Sequence, residues 1–301
     1  MILRRCLSQI ASTVPTGLEV SGQRIAVGME ALLSNIKSET LQQATLYYSR
    51  GGKYIRPTLN LLLAQSINLT LLRQQRVLSL DEEMVMAEQR RLAEIVEMIH
   101  AASLLHDDVI DGAEERRGRV SANLHFGNRL SILSGDYLLA QASVALAQMG
   151  RLPVVELLAE VIKDLVAGEF MQLEEGEARF QLQHYLEKSF LKTGSLLAKS
   201  MQATAMLAEA GETIERAAFE YGKAVGVAFQ LIDDCLDYEG TSQEVGKPVG
   251  ADLRAGLLTA PFLLSLEAAP QLAQLDPIQQ HATIMETVIR VGGVQRTRAM
   301  A

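Results

Sequence analysis

The chain has few aromatic residues, cysteines and prolines. It contains no tryptophan, 5% of it is aromatic, and it has two cysteines and seven prolines among 301 residues. Cys6 and Cys235 cannot form a disulfide framework, and no cysteine and histidine cluster has zinc-binding spacing. No uninterrupted apolar stretch reaches about 18 residues, so we expect at most peripheral membrane contact. A net charge of −8 argues against a nucleic-acid-binding surface.

The remaining composition is typical of helices. The chain is 48% hydrophobic, and strand-like alternation is scarce, so the sequence predicts an all-α fold. Helical periodicity covers, approximately, residues 22–49, 54–67, 84–110, 129–149, 153–174, 180–209, 212–238, 257–268 and 275–291. Residues 68–83 are predicted to form an exposed connection, and residues 112–127 a polar, basic loop.

Two acidic clusters of the form DDxxD are the most informative feature: DDVID at 107–111 and DDCLD at 233–237. Each follows an apolar helical run. On a helix the first and last aspartates share one face, roughly 5–6 Å apart, and such crowded carboxylates repel one another unless cations neutralise them. Aspartate oxygens suit Mg²⁺, which fills its shell with water and phosphate. A single acidic cluster is usually a solvated helix face, but a matched pair indicates a site where Mg²⁺ clamps a diphosphate. Cys235 is expected to be a small buried residue.

The apolar helices beneath the carboxylates predict a deep hydrocarbon-binding shaft, although the same residues could serve only as core. Basic residues should then help to hold phosphate. Lys53 and Arg56 lie at a predicted helix start, and Arg116-Arg117 follow the first acidic cluster, where guanidinium groups can fork onto phosphate oxygens. Lys192, Lys199 and Lys247 are further candidates. His100 and His106 lie on nearly opposite sides of one helix, so a shared metal site is not expected.

With these motifs the chain resembles the trans-isoprenyl (polyprenyl) diphosphate synthases. The resemblance rests on GGKYIRP (51–57), EMIHAASLLHDDVID (97–111), RRG (116–118), GEFMQL (168–173), KTGSLL (192–197), FQLIDDCLD (229–237) and GKPVGADL (246–253), in family order. GEFMQL and GLLTAP (256–261) look most like mitochondrial long-chain enzymes. The resemblance implies an isoprenoid-synthase-type helical bundle around a deep central cavity, with residues 21–301 forming one polyprenyl synthase domain.

The resemblance also implies residue roles. The metal ligands would be Asp107, Asp111 and Asp233, binding about three Mg²⁺ ions. The allylic diphosphate would be contacted by Arg116, Lys192 and Lys247, with Gln230 nearby. The diphosphate of isopentenyl diphosphate would be held by Lys53, Arg56, His100 and Arg117. Lys192-Thr193 would aim carbonyl and hydroxyl dipoles at the reacting carbocation.

The implied reaction condenses isopentenyl diphosphate with an allylic primer, which is geranyl, farnesyl or geranylgeranyl diphosphate. Mg²⁺ and the cations stabilise the departing diphosphate, and the carbocation must be shielded from water next to the attacking double bond. The product would be a long all-trans polyprenyl diphosphate for the ubiquinone side chain. The resemblance implies a homodimer, or a heteromer with a second synthase subunit.

Several departures keep other interpretations open. Tyr54 stands where an arginine is common, Leu257 replaces a common lysine, and the chain ends at Ala301, earlier than most relatives. A non-catalytic or regulatory subunit of a heteromeric synthase is therefore an alternative, although such subunits usually lose aspartates that this chain retains. A class I terpene cyclase would need a different second metal motif.

We expect residues 1–20 to form a targeting or disordered segment. The first 18 residues carry Arg4, Arg5 and hydroxyl residues and no acid, a composition that suits a mitochondrial transit segment or a frayed, disordered N-terminus. The expected location is mitochondrial, and otherwise cytoplasmic.

Product length should depend on the residues one turn before Asp107. Ala102 and Ser103 are small, so the predicted shaft is open there. We expect Ala102→Phe to shorten the product because an aromatic ring would close the shaft, and chromatography of the extended products measures this. Unchanged product length would contradict the shaft hypothesis.

Overall fold

The computed structural model describes residues 17–48, 52–76, 78–81, 84–116, 118–173, 176–239 and 250–301. The chain divides into two compact units. Unit 1 comprises Met1–Lys163 and Leu196–Gly222, and unit 2 comprises Asp164–Ser195 and Lys223–Ala301. The described residues are almost entirely helical, as the composition predicts. The expectation of one domain over residues 21–301 stays a prediction.

Unit 1 holds the first acidic motif. Its elements are α1 (Gly17–Leu32), α2 (Glu39–Leu46), α3 (Ile55–Arg73), α4 (Ala87–Ile110), β1 (Glu115–Arg116), β2 (Arg119–Val120), α5 (Ala122–Phe126) and α6 (Asn128–Met149). It also includes the first part of α7 (Leu152–Leu173), nearly all of α9 (Ser195–Leu207), and the start of α10 (Glu212–Glu239).

Unit 2 holds the second acidic motif, on the remainder of α10. Its other elements are the end of α7, a 3₁₀ turn (Glu177–Phe180), α8 (Leu182–Ser189), a π-helical segment (Phe190–Gly194), α11 (Ala251–Arg254), α12 (Ala260–Ser265), a second 3₁₀ turn (Pro270–Gln274), α13 (His281–Arg290) and α14 (Gly293–Met300). Its core includes Phe262, Ile284 and Val294. Cys235 is part of this core, which confirms the expectation that it is buried.

Helix α4 is the central helix of unit 1. Every residue from Leu92 to Ile99 is buried, and α4 packs chiefly against α6 and α3. A helix that is buried on all sides behaves as a core helix and gains its stability from packing. The last turn of α4 carries the first acidic motif, so this motif sits on one of the most constrained helices of the unit.

The predicted connection at 68–83 is partly wrong, because α3 continues to Arg73. Its buried face runs without interruption through Leu61, Ala64, Ile67, Asn68 and Leu71. Polar residues occupy buried positions of this face, so the apolar periodicity that marks a helix is broken in the sequence although the helix itself is not.

Buried polar side chains join α3 to its neighbours. Asn68 donates to the carbonyl oxygen of Met84 and to Oε1 of Gln89, both at 2.9 Å. Asn60 donates to Ser200 Oγ at 3.0 Å, and its own Oδ1 accepts from Thr204 at 3.1 Å. These bonds satisfy polar groups that would otherwise be costly to bury.

Three other predicted segments differ in detail. The segment 22–49 is interrupted at residues 33–38, and α2 starts after Ser38, whose side chain caps the helix by accepting from the N–H of Leu41 at 3.3 Å. The segment 180–209 is divided by the π-helical segment. The loop at 112–127 contains a short antiparallel hairpin and α5.

Helix α6 is long and apolar enough to cross a membrane by length and composition. Its 18-residue window has a mean hydropathy of 1.3 and is 39% buried inside the structure. A core helix of a globular protein meets the same criteria, and the inner face of α6 packs on α4. The expectation of at most peripheral membrane contact stays a prediction.

We expect Asn68→Ala to destabilise unit 1 by about 2 kcal/mol, because it removes two hydrogen bonds of the buried Gln89 amide and the donor to the Met84 carbonyl oxygen. Urea unfolding followed by circular dichroism measures the change. Thr70→Ala, which removes an exposed hydroxyl bonded to Ser66 in the same helix, is the control and should shift stability by less than about 0.5 kcal/mol. An equal loss of unfolding free energy in both variants would show that the buried hydrogen bonds stabilise the protein no more than the exposed one.

Candidate active site

The first acidic motif lies at the C-terminal end of α4, where its aspartates have different environments. Asp107 is half-buried, Asp108 is fully buried, and Asp111 is exposed as the C-cap residue. The N–H of Asp111 donates to the carbonyl oxygen of Asp107 at 2.8 Å, so the helical geometry continues through the motif. The predicted pair of ligands, Asp107 and Asp111, therefore lies on the more exposed side of the helix end.

Asp108 accepts hydrogen bonds from residues outside its own helix. The Tyr48 hydroxyl donates to Oδ2, while Nε and Nη2 of Arg116 donate to Oδ1 at 2.8 and 2.6 Å. The Tyr48 oxygen in turn accepts from the N–H of Ala122 at 2.8 Å. Burial and the hydrogen bond to Asp108 raise the pKa of Tyr48, so the phenol stays protonated and remains a donor. Arg116, predicted as a diphosphate ligand, pairs with Asp108 in this structure.

The predicted isopentenyl diphosphate residues lie in the same unit. Arg56, in the first turn of α3, places Nη1 at 3.1 Å from Nε2 of His100, and Lys53 is exposed just before this helix. Tyr54, at the N-cap of α3, has a φ of 48°, a left-handed conformation that is uncommon outside glycine. Arg117 lies outside the described residues.

His106 lies on another side of α4 from His100, as predicted. Its Nε2 is 3.2 Å from the carbonyl oxygen of Ile132 and 3.4 Å from the carboxylate of Asp136, both on α6. His106 therefore supports the packing of two helices. Among the chain-length candidates, Ala102 is fully buried, and Ser103 is half-buried and donates to the carbonyl oxygen of His100 at 2.9 Å.

In the second acidic motif, on α10 in unit 2, the three aspartates also differ in burial. Asp233 is exposed, whereas Asp234 and Asp237 are buried. Asp237 accepts from the N–H groups of Ala251 and Asp252, each at 3.2 Å, and so caps the first turn of α11. Backbone N–H groups at a helix start favour a carboxylate, which explains why this aspartate is used for structure. Lys247 lies outside the described residues.

Asp234 is held by several donors. Tyr185 donates its hydroxyl to Oδ2 at 2.5 Å, Gln230 donates to Oδ1 at 2.8 Å, and the N–H of Ala260 lies 3.4 Å from Oδ2. Burial raises the pKa of Asp234 to about 7, while the hydrogen bonds from Tyr185 and Gln230 lower it. Burial and the charge of Asp234 also raise the pKa of Tyr185.

Lys192, Thr193 and Gln230 lie together in unit 2. Lys192 Nζ is 2.5 Å from Glu169 Oε2 and 2.9 Å from Gln172 Oε1. Thr193 donates to Gln230 Oε1 at 3.0 Å, and because Gln230 also donates to Asp234, a chain of hydrogen bonds links Thr193 to the second motif.

A close backbone approach makes this chain of hydrogen bonds geometrically feasible. A Cβ atom added at Gly226 on α10 would come within 2.5 Å of the Cα atom of Gly194 in the π-helical segment. The absence of a side chain at Gly226 lets the two backbones lie this close. The contact brings Thr193, next to Gly194, within reach of Gln230, one turn beyond Gly226.

The donor set fits Mg²⁺. Within the described ranges, no three or more His, Cys, Asp or Glu side chains are grouped to hold a metal by themselves. Each motif instead presents one or two accessible carboxylates, the number that Mg²⁺ usually takes from a protein while water and phosphate complete its shell. The accessible carboxylates are those of Asp107, Asp111 and Asp233.

Sequence reasoning missed the residues that hold the motifs. It assigned no role to Tyr48 or Tyr185, and although it left Asp108 and Asp234 out of the metal ligands, it gave them no structural role. It also missed Glu169 as the partner of Lys192. GEFMQL, already noted as a motif, contains both Glu169 and Gln172 and was the available signal for that contact.

Comparison with known proteins identifies the family. The Polyprenyl synthetase family matches residues 38–290. The chain is 41% identical to the probable mitochondrial hexaprenyl pyrophosphate synthase of Neurospora crassa, over 92% of this chain and 73% of that protein. It is also 41% identical to decaprenyl-diphosphate synthase subunit 1 of Schizosaccharomyces pombe, over 92% of this chain and 76% of the relative. The chain belongs to the polyprenyl synthetase family, whose members are prenyltransferases.

Solved structures support the same assignment. Heptaprenyl diphosphate synthase from Staphylococcus aureus superposes with a TM-score of 0.81 at 27% identity, covering 94% of this chain and 87% of that one. A polyprenyl synthase from Caulobacter crescentus, complexed with calcium and isoprenyl diphosphate, gives a TM-score of 0.77 at 29% identity, covering 93% and 85%. The predicted all-α isoprenoid-synthase fold is thereby confirmed.

We expect Gly226→Ala to destabilise unit 2 by about 1–3 kcal/mol, since the added methyl group would meet the Gly194 backbone. Displacement of the π-helical segment should also lower kcat by weakening the Thr193–Gln230 hydrogen bond. Thermal unfolding and steady-state kinetics measure both effects. Ala224→Ser, at an exposed position of the same helix, is the control, and wild-type behaviour of Gly226→Ala would contradict the close-contact argument.

Proposed function

We propose that this chain condenses isopentenyl diphosphate with an allylic diphosphate to form a long-chain all-trans polyprenyl diphosphate. The observation that carries the proposal is that the aspartates of each motif divide into buried and accessible ones. In each motif, buried partners engage at least one carboxylate, while Asp107, Asp111 and Asp233 stay accessible. Accessible carboxylates at helix ends, with cations in the same units, suit a magnesium diphosphate.

The proposed metal ligands are Asp107, Asp111 and Asp233, for about three Mg²⁺ ions. Bound Mg²⁺ supplies Lewis-acid stabilisation of the charge that develops on the departing diphosphate. As additional cations, Arg116, Lys192 and Lys247 are assigned to the allylic diphosphate, and Arg117 is assigned to the diphosphate of isopentenyl diphosphate. Arg116 and Lys192 already lie against Asp108 and Glu169, and these carboxylates hold their side chains in place before substrate arrives.

Arg56 and His100 are assigned to isopentenyl diphosphate together with Lys53. The 3.1 Å contact between Arg56 and His100 limits the rotation of both side chains. Preorganised donors of this kind stabilise charge without reorganising during the reaction.

Thr193 and Gln230 are assigned to the carbocation. The Thr193 hydroxyl donates to Gln230, so the threonine lone pairs are oriented away from that bond and can face a developing positive charge. An apolar surrounding shields such a cation from water, and the proton lost after C–C bond formation passes to the released diphosphate. No protein nucleophile is required.

Ala102 and Ser103 are assigned to product length. Both are small, and Ala102 is fully buried on the helix that carries the first motif. A growing chain of more than about four isoprene units needs apolar space, and small side chains leave it open.

The biological setting follows from the relatives. The N. crassa relative is named as a mitochondrial hexaprenyl synthase, and the S. pombe relative as one subunit of a decaprenyl synthase. We assign this chain to mitochondria, to ubiquinone side-chain synthesis, and to a homodimer or a heteromer with a second synthase subunit.

A non-catalytic subunit is the alternative, favoured by the subunit name of the S. pombe relative. All six aspartates of the two motifs are retained here, which favours catalysis. Elongation by the purified chain alone excludes the alternative, whereas turnover only after a partner subunit is added supports it.

We expect Asp107→Ala and Asp233→Ala each to lower kcat by about 100-fold or more, because each removes a ligand of the charge-stabilising metal. The assay measures incorporation of isopentenyl diphosphate into farnesyl diphosphate with Mg²⁺. Glu156→Ala, which removes one exposed negative charge on α7, should retain full activity. Turnover that survives in either aspartate variant would contradict the proposed function.

A further inference from the structure

The second aspartate of each motif is paired with a buried tyrosine that is distant in sequence. Asp108 and Tyr48 have exposed fractions of 0% and 3%, and Asp234 and Tyr185 have 1% and 3%. In both pairs the phenol donates to Oδ2 of the carboxylate. The same arrangement therefore occurs independently in unit 1 and unit 2.

In unit 1 the Tyr48 hydroxyl connects two helix ends. It donates to Asp108 at the end of α4 and accepts from the N–H of Ala122 at the start of α5. Arg116, in the intervening hairpin, occupies the other carboxylate oxygen of Asp108. The carboxylate is thus held from both sides and cannot rotate outward without losing these bonds.

In unit 2 the Tyr185 hydroxyl closes a longer chain of hydrogen bonds. Tyr185 donates to one oxygen of Asp234, and Gln230 donates to the other. Gln230 accepts from Thr193, so the orientation of a residue assigned to the reaction depends on the orientation of Asp234.

We propose that Tyr48 and Tyr185 are positioning residues, which hold the second aspartate of each motif inward so that Asp107 and Asp111 in the first motif, and Asp233 in the second, face the metal. This inference rests on the proposed function. Groups that support metal ligands through hydrogen bonds set ligand orientation, and losing one typically lowers metal affinity or activity by 10–100-fold.

The hydroxyl groups, and not the rings, carry this role. Phenylalanine at either position keeps the volume of the ring and removes only the hydroxyl, which at position 48 also accepts from the N–H of Ala122. The buried carboxylate would then turn toward another donor or toward the metal, and it would change the geometry that Asp107 or Asp233 presents.

Tyr48→Phe and Tyr185→Phe test the proposal. Mn²⁺ binding in the presence of inorganic pyrophosphate, followed by electron paramagnetic resonance of free Mn²⁺, should show an affinity about 10-fold weaker than wild type. In the elongation assay, the Mg²⁺ concentration for half-maximal rate should rise by a similar factor. For Tyr48→Phe, excess Mg²⁺ should restore most of kcat. For Tyr185→Phe, part of the kcat loss should remain, because Thr193 is also affected.

Two matched controls separate this role from packing. Tyr47→Phe removes a hydroxyl that donates to the carbonyl oxygen of Val120 at 2.8 Å in the neighbouring hairpin, without touching an aspartate. Tyr221→Phe removes an exposed hydroxyl on α10. Both should keep the wild-type Mn²⁺ affinity and Mg²⁺ dependence.

Wild-type Mn²⁺ affinity in both Tyr48→Phe and Tyr185→Phe would overturn the proposal. If one of the two variants is unfolded by circular dichroism, the folded variant of the other pair decides alone, because each motif has its own tyrosine. Wild-type Mn²⁺ affinity in that folded variant would again overturn the proposal. Absence of elongation by the wild-type chain would refute the proposed function instead, which distinguishes the two failures.

Discussion

Mutual repulsion among carboxylates is the constraint on which the arrangement of each acidic motif depends. Three carboxylates within about one helical turn repel one another and oppose folding unless each finds a donor or a cation. The protein meets this constraint by sending Asp108, Asp234 and Asp237 inward to tyrosine, arginine, glutamine and backbone donors. The remaining three carboxylates then carry the negative charge that is accessible to a cation.

This division of labour gives the DDxxD pattern a physical meaning. The accessible aspartates Asp107, Asp111 and Asp233 are the proposed metal ligands, while the buried ones, Asp108, Asp234 and Asp237, anchor the surrounding loops and helices. Arg116 ties the hairpin after α4 to Asp108, and Asp237 fixes the start of α11 after α10. Residues that follow each motif are therefore positioned by the buried aspartates of the motif itself.

Much of the fold and of the two motifs could be predicted from the sequence, but the extent of one helix could not. The all-α class, the two motifs at helix ends and the buried Cys235 follow from composition and periodicity. The C-terminal end of α3 could not be predicted in this way. Asn60 and Asn68 occupy core positions of this helix, and their side chains form hydrogen bonds with residues far along the chain.

The pairing of each second aspartate with a tyrosine also could not be predicted from the sequence. Tyr48 is 60 residues from Asp108, and Tyr185 is 49 residues from Asp234. Local patterns report which residues share a helix face, but they carry no information about a hydroxyl supplied by a distant segment. Only the packing of whole helices determines such pairs, so the motif alone does not predict which distant side chain holds its second aspartate.

The π-helical segment at Phe190–Gly194 has a consequence for how this region can vary. A π turn contains one residue more than an α turn, so it offsets the helical phase of everything that follows. Losing a single residue here would let α8 run smoothly into α9, yet it would rotate Lys192 and Thr193 by about 100° around the axis. Insertions and deletions at this point are therefore far less tolerable than point substitutions, and the irregular turn acts as a fixed spacer in the helix.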